Sequence, residues 1–172
     1  QTVIDVDLYR IAEDIVDGPE AIAFDGEGKM YTANEDGRII VLPRDGTDPY
    51  DFAQTEGRPL GLKFDLQGNL IVADAYEGLL SIDTTGEIAI LSTECDSLPF
   101  LLTDDLDISS DGIIYFSDAS SVNNLENNGD DWGEPNGRLL AYDPQTNETS
   151  LLLDGLYFAN GVALAPDESY VL

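Results

Sequence analysis

The chain has 172 residues, of which 42% are hydrophobic, and its 35 acidic and 7 basic side chains give a formal net charge of −28. This acidic excess repels phosphate backbones and anionic lipid headgroups, which argues against nucleic-acid and membrane-surface partners. Histidine is absent and Cys95 is the single cysteine. The printed chain therefore offers no Ser-His-Asp triad, no imidazole zinc site and no internal disulfide.

No apolar run is long enough to cross a bilayer, so we expect no membrane insertion. The compartment stays open, although a soluble, secreted or periplasmic protein is favoured over a cytoplasmic one. The charge has two explanations: a solvated acidic surface accounts for most carboxylates, and local clusters that hold cations account for a few.

Residues 1–17 contain one segment of alternating apolar and polar residues, Val3 to Ile11. Since it has no hairpin partner of its own, we predict a single strand that adds to another sheet. From Gly18 the chain repeats a unit of four strand-like segments separated by turn residues. The predicted strands are 20–24, 29–33, 37–42 and 50–54, then 60–64, 69–73, 78–83 and 87–92, then 104–108, 113–117, 137–143 and 148–154.

A fourth copy of the unit begins at Asn160, and the copies recur at intervals of 40 to 56 residues. Such a period, with four short strands per unit, is typical of β-propeller blades. The predicted fold is therefore all-β, with a β-sandwich of accidental internal similarity as the alternative. The predicted blades are 18–56, 57–102 and 103–157, with a loop insertion at 119–136 and the start of a further blade at 158–172.

The first strand of each propeller blade faces the central channel, so the residues that begin these strands gather at one end of the axis. At the same repeat position the four copies have Glu20, Leu60, Asp104 and Asn160. Three of the four carry oxygen, and converging carboxylate and amide oxygens suit a hard cation such as calcium. The alternative is that polar residues simply begin strands near solvent.

The second strand of each blade returns to the face on which the first begins, so the loops after it lie beside the proposed cation. The insertion containing Trp132 should overhang this face, and Phe158 precedes Asn160. We predict a substrate pocket lined by Phe158 and Trp132, although Trp132 could equally pack the loop itself.

The ends of the second strands place further polar residues on this face, namely Asn34, Asp74 and Asp118. The catalytic residue is not assigned from the sequence. Asp118 is only a weak suggestion for it.

Four segments carry a family resemblance: Leu102-Thr-Asp-Asp-Leu-Asp, Ile114-Tyr-Phe-Ser-Asp-Ala-Ser-Ser, Gly137-Arg-Leu-Leu-Ala-Tyr-Asp and Phe158-Ala-Asn-Gly-Val-Ala-Leu-Ala-Pro-Asp. Together they resemble the strictosidine synthase-like and gluconolactonase (senescence marker protein, regucalcin) families of six-bladed β-propellers. The resemblance implies that this chain supplies about three blades plus one strand at each end, with residues 1–17 completing the last blade. The remaining half would come from the rest of the protein or from a second chain.

Metal-dependent members of this superfamily hold calcium in the channel, and the resemblance implies Glu20 and Asn160 as ligands here. Asp104 stands where the family has a second Asn, which adds a negative charge and keeps an oxygen donor. The fourth family ligand, an Asp, belongs to a later blade. Strictosidine synthases have no catalytic metal and use a Glu that would also lie beyond Leu172.

These observations favour a calcium-dependent hydrolase of a lactone or related ester. The cation, calcium or another divalent ion, would polarise the carbonyl of a small-molecule substrate while a channel carboxylate activates water. One alternative is a metal-free lyase or condensing enzyme of the strictosidine synthase kind. Another is a non-catalytic propeller with a structural cation.

Overall fold

The structure, a computed structural model, describes residues 12, 14–45, 47–126 and 133–172. Within these ranges the regular secondary structure consists of β-strands. The described residues contain no helix long and apolar enough to cross a bilayer. The strands are β1 (Ile22–Phe24), β2 (Met30–Ala33), β3 (Arg38–Leu42), β4 (Tyr50–Gln54), β5 (Pro59–Phe64), β6 (Leu70–Asp74), β7 (Gly78–Ile82), β8 (Ile88–Ser92), β9 (Glu94–Cys95), β10 (Leu98–Pro99), β11 (Thr103–Ile108), β12 (Ile114–Asp118), β13 (Gly137–Asp143) and β14 (Glu148–Leu156).

Twelve of these strands form three four-stranded antiparallel sheets, ordered β1-β2-β3-β4, β5-β6-β7-β8 and β11-β12-β13-β14. We call these sheets blades 1, 2 and 3. The observed strand ends lie within two residues of the predicted ends in all three repeats. The prediction of an all-β propeller is confirmed, because each repeat folds as one meander of the kind that makes a propeller blade.

One hairpin, β9 paired with β10, lies outside the predicted strands. Its two-residue turn consists of Asp96 and Ser97, with φ angles of 52° and 63°. A tight hairpin turn of the I′ type requires such positive φ angles and usually contains Asn-Gly or Asp-Gly. The Asp-Ser pair lacks glycine, so the sequence gives no strong signal for this hairpin.

Aspartates build several of the turns between strands. In three hairpins a carboxylate oxygen accepts the N–H groups of the residues two and four positions further on, at 2.7–3.1 Å. The three residues are Asp25, Asp65 and Asp83. Since an Asp side chain bonded in this way mimics a backbone turn, part of the negative charge has a local structural role.

The blades pack face to face through two apolar clusters, with blade 2 in the middle. All five residues of β6 are buried. Its alternate side chains serve the two clusters, because Val72 packs with Tyr31 of blade 1 whereas Ile71 packs with Phe116 of blade 3. Burial on both faces explains why β6 is a continuous apolar run in the sequence.

The inner strands of blades 2 and 3 approach each other closely at Gly61. An ideal Cβ at this position would lie 2.8 Å from the Asp104 carbonyl oxygen and 2.9 Å from the Asp105 Cα. A side chain would therefore push backbone atoms apart. Glycine at this point allows β11, which carries Asp104, to lie directly against β5.

The fourth repeat, from Asn160 to Leu172, contains one short antiparallel pairing. Ala163 and Leu172 exchange backbone hydrogen bonds of 3.0 and 2.8 Å, and Leu164 pairs with Val171 as an isolated bridge. The strand expected at Val3 to Ile11 lies outside the described residues, so its place in the last blade stays a prediction. Trp132 also lies outside them.

Candidate functional site

The structure brings together the three oxygen-bearing residues that begin inner strands. Glu20 lies just before β1, Asp104 lies in β11, and Asn160 begins the fourth repeat. The Asn160 side-chain amide donates a hydrogen bond of 3.0 Å to Asp104 Oδ2. The Glu20 carboxylate is near enough to act electrostatically on Asp104. Leu60, at the same repeat position in blade 2, is instead buried in a small apolar cluster.

Asp104 is the most electrostatically perturbed group at this site. Burial raises the pKa of Asp104 to about 7, and the neighbouring carboxylates of Asp105 and Glu20 add to the effect. Carboxylates crowded in this way resist ionisation until a positive charge compensates them.

One positive side chain adjoins this group and was not expected from the sequence. The Arg58 guanidinium is largely buried, with 11% of its side chain exposed. Its Nη2 atom donates a 2.7 Å hydrogen bond to the Gly18 carbonyl and lies 3.7 Å from Glu20 Oε1. Arg58 therefore links blade 2 to the segment entering blade 1 and stands beside Glu20.

A carboxylate further along β11 ties three repeats together. Asp107 Oδ2 accepts the Leu164 N–H at 2.8 Å, and Asp107 Oδ1 contacts the Lys63 ammonium of blade 2. Burial alone would raise the pKa of Asp107, but the Leu164 N–H and the Lys63 ammonium outweigh burial and lower it. The ionised form of Asp107 is therefore the one that the fold stabilises.

This lowered pKa predicts a pH-dependent contribution to stability. A carboxylate whose pKa is depressed by folding stabilises the fold above its unfolded pKa of about 4, and the contribution is lost as the pH falls through the folded value. We expect Asp107→Asn to lower the urea midpoint of the complete protein at neutral pH. The difference from wild type should shrink as the pH falls through the folded pKa of Asp107, which lies below the usual value, because Asp107 is then protonated and uncharged like the asparagine. A difference that grows on acidification would contradict the assignment.

The polar residues that end the second strands form hydrogen bonds within their own blades. Each is buried and uses a side-chain oxygen to accept an N–H from the segment that enters the first strand of its own blade, at 2.7–3.0 Å. The pairs are Asp17 N–H with Asn34, Arg58 N–H with Asp74, and Leu102 N–H with Asp118. These side chains therefore fasten each blade together.

Asp118 is the clearest correction. Its Oδ1 atom accepts the Leu101 and Leu102 N–H groups, and its Oδ2 atom accepts Arg138 Nη2 at 2.6 Å and Nε at 3.0 Å. The residue is fully buried. Both oxygens are occupied inside the blade, so Asp118 is a structural residue and is not carried forward as a catalytic candidate.

The described first part of the insertion packs against blades 2 and 3. Leu125 packs against a buried cluster made of Leu60, Ala75, Leu102 and Ala119. Burial and the nearby Glu126 carboxylate raise the pKa of Tyr76, which follows β6. Tyr76, which the sequence pattern did not single out, is 41% exposed and lies near the Glu126 carboxylate of the insertion. Phe158 is 40% exposed on the segment leading to Asn160, and its contact with a substrate stays a prediction.

Known families match both ends of the chain. Residues 104–172 match the family model described as strictosidine synthase, and residues 6–42 match the model described as strictosidine synthase-like, N-terminal. Protein strictosidine synthase-like 6 of Arabidopsis thaliana is 39% identical over 166 residues, which cover 92% of this chain and 45% of that protein. The chain thus spans about half the length of the curated relatives it matches.

Solved structures match the fold at low sequence identity. A gluconolactonase from Xanthomonas campestris superposes with a TM-score of 0.77 and 18% identity, covering 91% of this chain and 54% of that one. Virginiamycin B lyase from Staphylococcus aureus gives a TM-score of 0.63 and 13% identity, covering 86% and 45%. The two family models and the curated relatives show that the chain belongs to the strictosidine synthase-like family, and the repeats and the solved structures show that its fold is that of a β-propeller.

Proposed function

We propose that the complete protein is a calcium-dependent hydrolase of a lactone or related ester, with the cation held by Glu20, Asp104 and Asn160. The observation that carries the proposal is the meeting of these three side chains, in which Asn160 bonds to Asp104 at 3.0 Å beside the Glu20 carboxylate. The remaining ligands and blades would come from the rest of the protein or from a second chain.

The donor set fits calcium or a similar divalent ion. Calcium accepts six to eight oxygen ligands in loose geometry, and two carboxylates with one amide supply part of such a shell. The Asn160 amide would turn its oxygen toward the ion, since the oxygen and nitrogen of an amide occupy nearly equivalent positions. The raised pKa of Asp104, caused by burial and by neighbouring carboxylates, is the state expected of this group without its counter-ion.

In this mechanism the side chains of this chain would hold the cation, and the cation would activate the substrate. A bound cation supplies polarisation of the substrate carbonyl and stabilises negative charge on its oxygen. Glu20, Asp104 and Asn160 hold the ion at the channel end.

The proposal is tested by calorimetric titration of calcium into the complete, chelator-treated protein, followed by hydrolysis assays on a panel of lactones and esters. We expect a saturable site and hydrolysis that stops with chelator and returns with added calcium. Hydrolysis that continues unchanged in chelator, or a titration without binding heat at several temperatures, would refute the metal-dependent activity.

A metal-free lyase or condensing enzyme of the strictosidine synthase kind is the second candidate, favoured by the descriptions of the two matching family models. It predicts turnover that is indifferent to chelator. A third outcome, in which calcium raises the melting temperature without turnover of any substrate class, would assign the cation a structural role.

A further inference from the structure

We propose that Ser117 is a positioning residue, which fixes the separation between the Asp104 and Asn160 donors by bonding to both of their strands at once. The inference deepens the proposed function, since it concerns the same cation site. It concerns a hydroxyl that does not itself reach the cation.

The Ser117 hydroxyl stands between the two inner strands that carry the donors. It donates a 2.7 Å hydrogen bond to the Asn160 carbonyl oxygen and accepts a 3.1 Å hydrogen bond from the Asp105 N–H. Ser117 is 1% exposed, so water does not replace these bonds easily. The buried Ser117 hydroxyl therefore links the backbone of Asn160 to the backbone of Asp105, the residue after Asp104.

The bond to Asp105 falls at an irregularity in the sheet. Thr103 pairs with Asp118 and Leu106 pairs with Phe116, so Asp104 and Asp105 together oppose the single residue Ser117. An extra residue of this kind is a β-bulge, which re-aims side chains and leaves an N–H without its ladder partner. The Ser117 hydroxyl accepts that N–H and so stabilises the bulge that presents Asp104.

The same position in the other blades lacks a hydroxyl. Blades 1 and 2 have Ala33 and Ala73 there, both with 0% exposure. Blade 2 has the same register shift, between Pro59 and Gly61, but the residue it presents is the apolar Leu60. Serine thus occurs where the bulge presents a carboxylate and where the next inner strand begins with a donor amide.

A second link keeps the same strands in register. The Asp105 carboxylate accepts the Val162 N–H at 2.8 Å. The segment that carries Asn160 is therefore held at two points, by Ser117 at the Asn160 carbonyl and by Asp105 at the Val162 N–H. Without the hydroxyl the remaining bonds from β11 to the backbone of this segment lie at Val162 and Leu164, beyond Asn160, and the Asn160 side chain can shift relative to Asp104.

The test is calcium titration and hydrogen exchange on the complete protein carrying Ser117→Ala. The variant should fold, because alanine occupies the equivalent position in blades 1 and 2. We expect calcium affinity to fall by about 10–100-fold, the range for loss of a group that orients metal ligands. In the cation-free protein, exchange of the Asp105 amide should become faster. Ser117→Thr keeps the hydroxyl and should recover most of the affinity.

Ser109→Ala is the matched control, because Ser109 is also buried and its hydroxyl bonds to the Ile113 backbone at the opposite end of β11. Its calcium affinity should stay within about twofold of wild type, since no ligand strand is released. Equal losses in both variants, or wild-type affinity in Ser117→Ala, would overturn the positioning role. If wild type binds no calcium, the proposed function fails instead. Amide hydrogen exchange of the cation-free proteins then tests the positioning role by itself. An Asp105 N–H that exchanges as slowly in Ser117→Ala as in wild type would overturn the inference.

Discussion

Asp104→Ala is expected to abolish measurable calcium binding, with a loss of at least about 100-fold, because it removes one donor and one charge from the proposed site of two carboxylates and one amide. Asp104→Asn should fall between this variant and wild type, since it keeps an oxygen donor and loses only the charge. Calorimetric titration of the complete protein measures both. Glu27→Gln, an exposed carboxylate paired with Lys29, is the control and should bind as wild type.

Asp104→Asn should weaken calcium binding but stabilise the cation-free fold. The pKa of Asp104 is raised to about 7 by burial and by Asp105 and Glu20, so the fold favours its protonated form, and ionisation above that pH is unfavourable. Asp104→Asn should therefore be more stable than wild type above about pH 7, by about 1–3 kcal/mol after allowance for solvent screening. The two proteins should converge as the pH falls. Urea midpoints across this range measure the effect, and a less stable variant at high pH would assign Asp104 a structural role.

Internal repetition explains how much of the architecture the sequence could predict. Each strand of the three blades has two aligned counterparts, so errors in one copy are corrected by the others, and the observed ends fall within two residues of the predicted ones. Among the described residues of the other repeats the β9–β10 hairpin has no counterpart, and its Asp96-Ser97 turn lacks glycine. Local turn signals alone did not identify it.

Repeat position predicted where a polar residue lies but not which way its side chain turns. Glu20, Asp104 and Asn160 lie near one another, since Asn160 bonds to Asp104 at 3.0 Å and the Glu20 carboxylate acts electrostatically on Asp104. At the ends of the second strands, Asp74 and Asp118 turn back to bind the entering segment of their own blade. That choice depends on nearby unpaired N–H groups, which become visible only when the loops are placed.

Two informative signals were present as differences between repeats. The predicted third strands of blades 1 and 3 both begin with Gly-Arg. Arg138 of blade 3 pairs with a buried carboxylate, that of Asp118, whereas Arg38 of blade 1 pairs with the exposed Asp36. Ser117 stands where the other blades have alanine. A repeat alignment marks such positions as candidates, but the partners that give them meaning come from the packing of neighbouring blades.

Arg138→Met should destabilise the complete protein by about 3–5 kcal/mol, the cost of leaving a buried charge without its partner. The Asp118 and Arg138 side chains are 0% and 5% exposed, so water cannot replace the lost contact. Arg138 also donates to the Pro99 carbonyl at 2.8 Å and lies 5.4 Å from the centre of the Phe100 ring. The substitution therefore also removes two hydrogen bonds from blade 3 to the β9–β10 hairpin, those to the Leu98 and Pro99 carbonyls.

Arg38→Met is the matched control, because Arg38 holds the same repeat position in blade 1 and pairs with Asp36 and Asp51 in a partly exposed setting. Solvent screens such pairs, so its effect on the urea midpoint should be far smaller. Combining Arg138→Met with Asp118→Asn should restore part of the loss, since the neutral amide still accepts the Leu102 N–H and leaves no buried charge. If the double variant is as unstable as the single one, the loss comes from packing and from the hairpin. If the two arginine variants are equally mild, the buried pair contributes no more than a surface one.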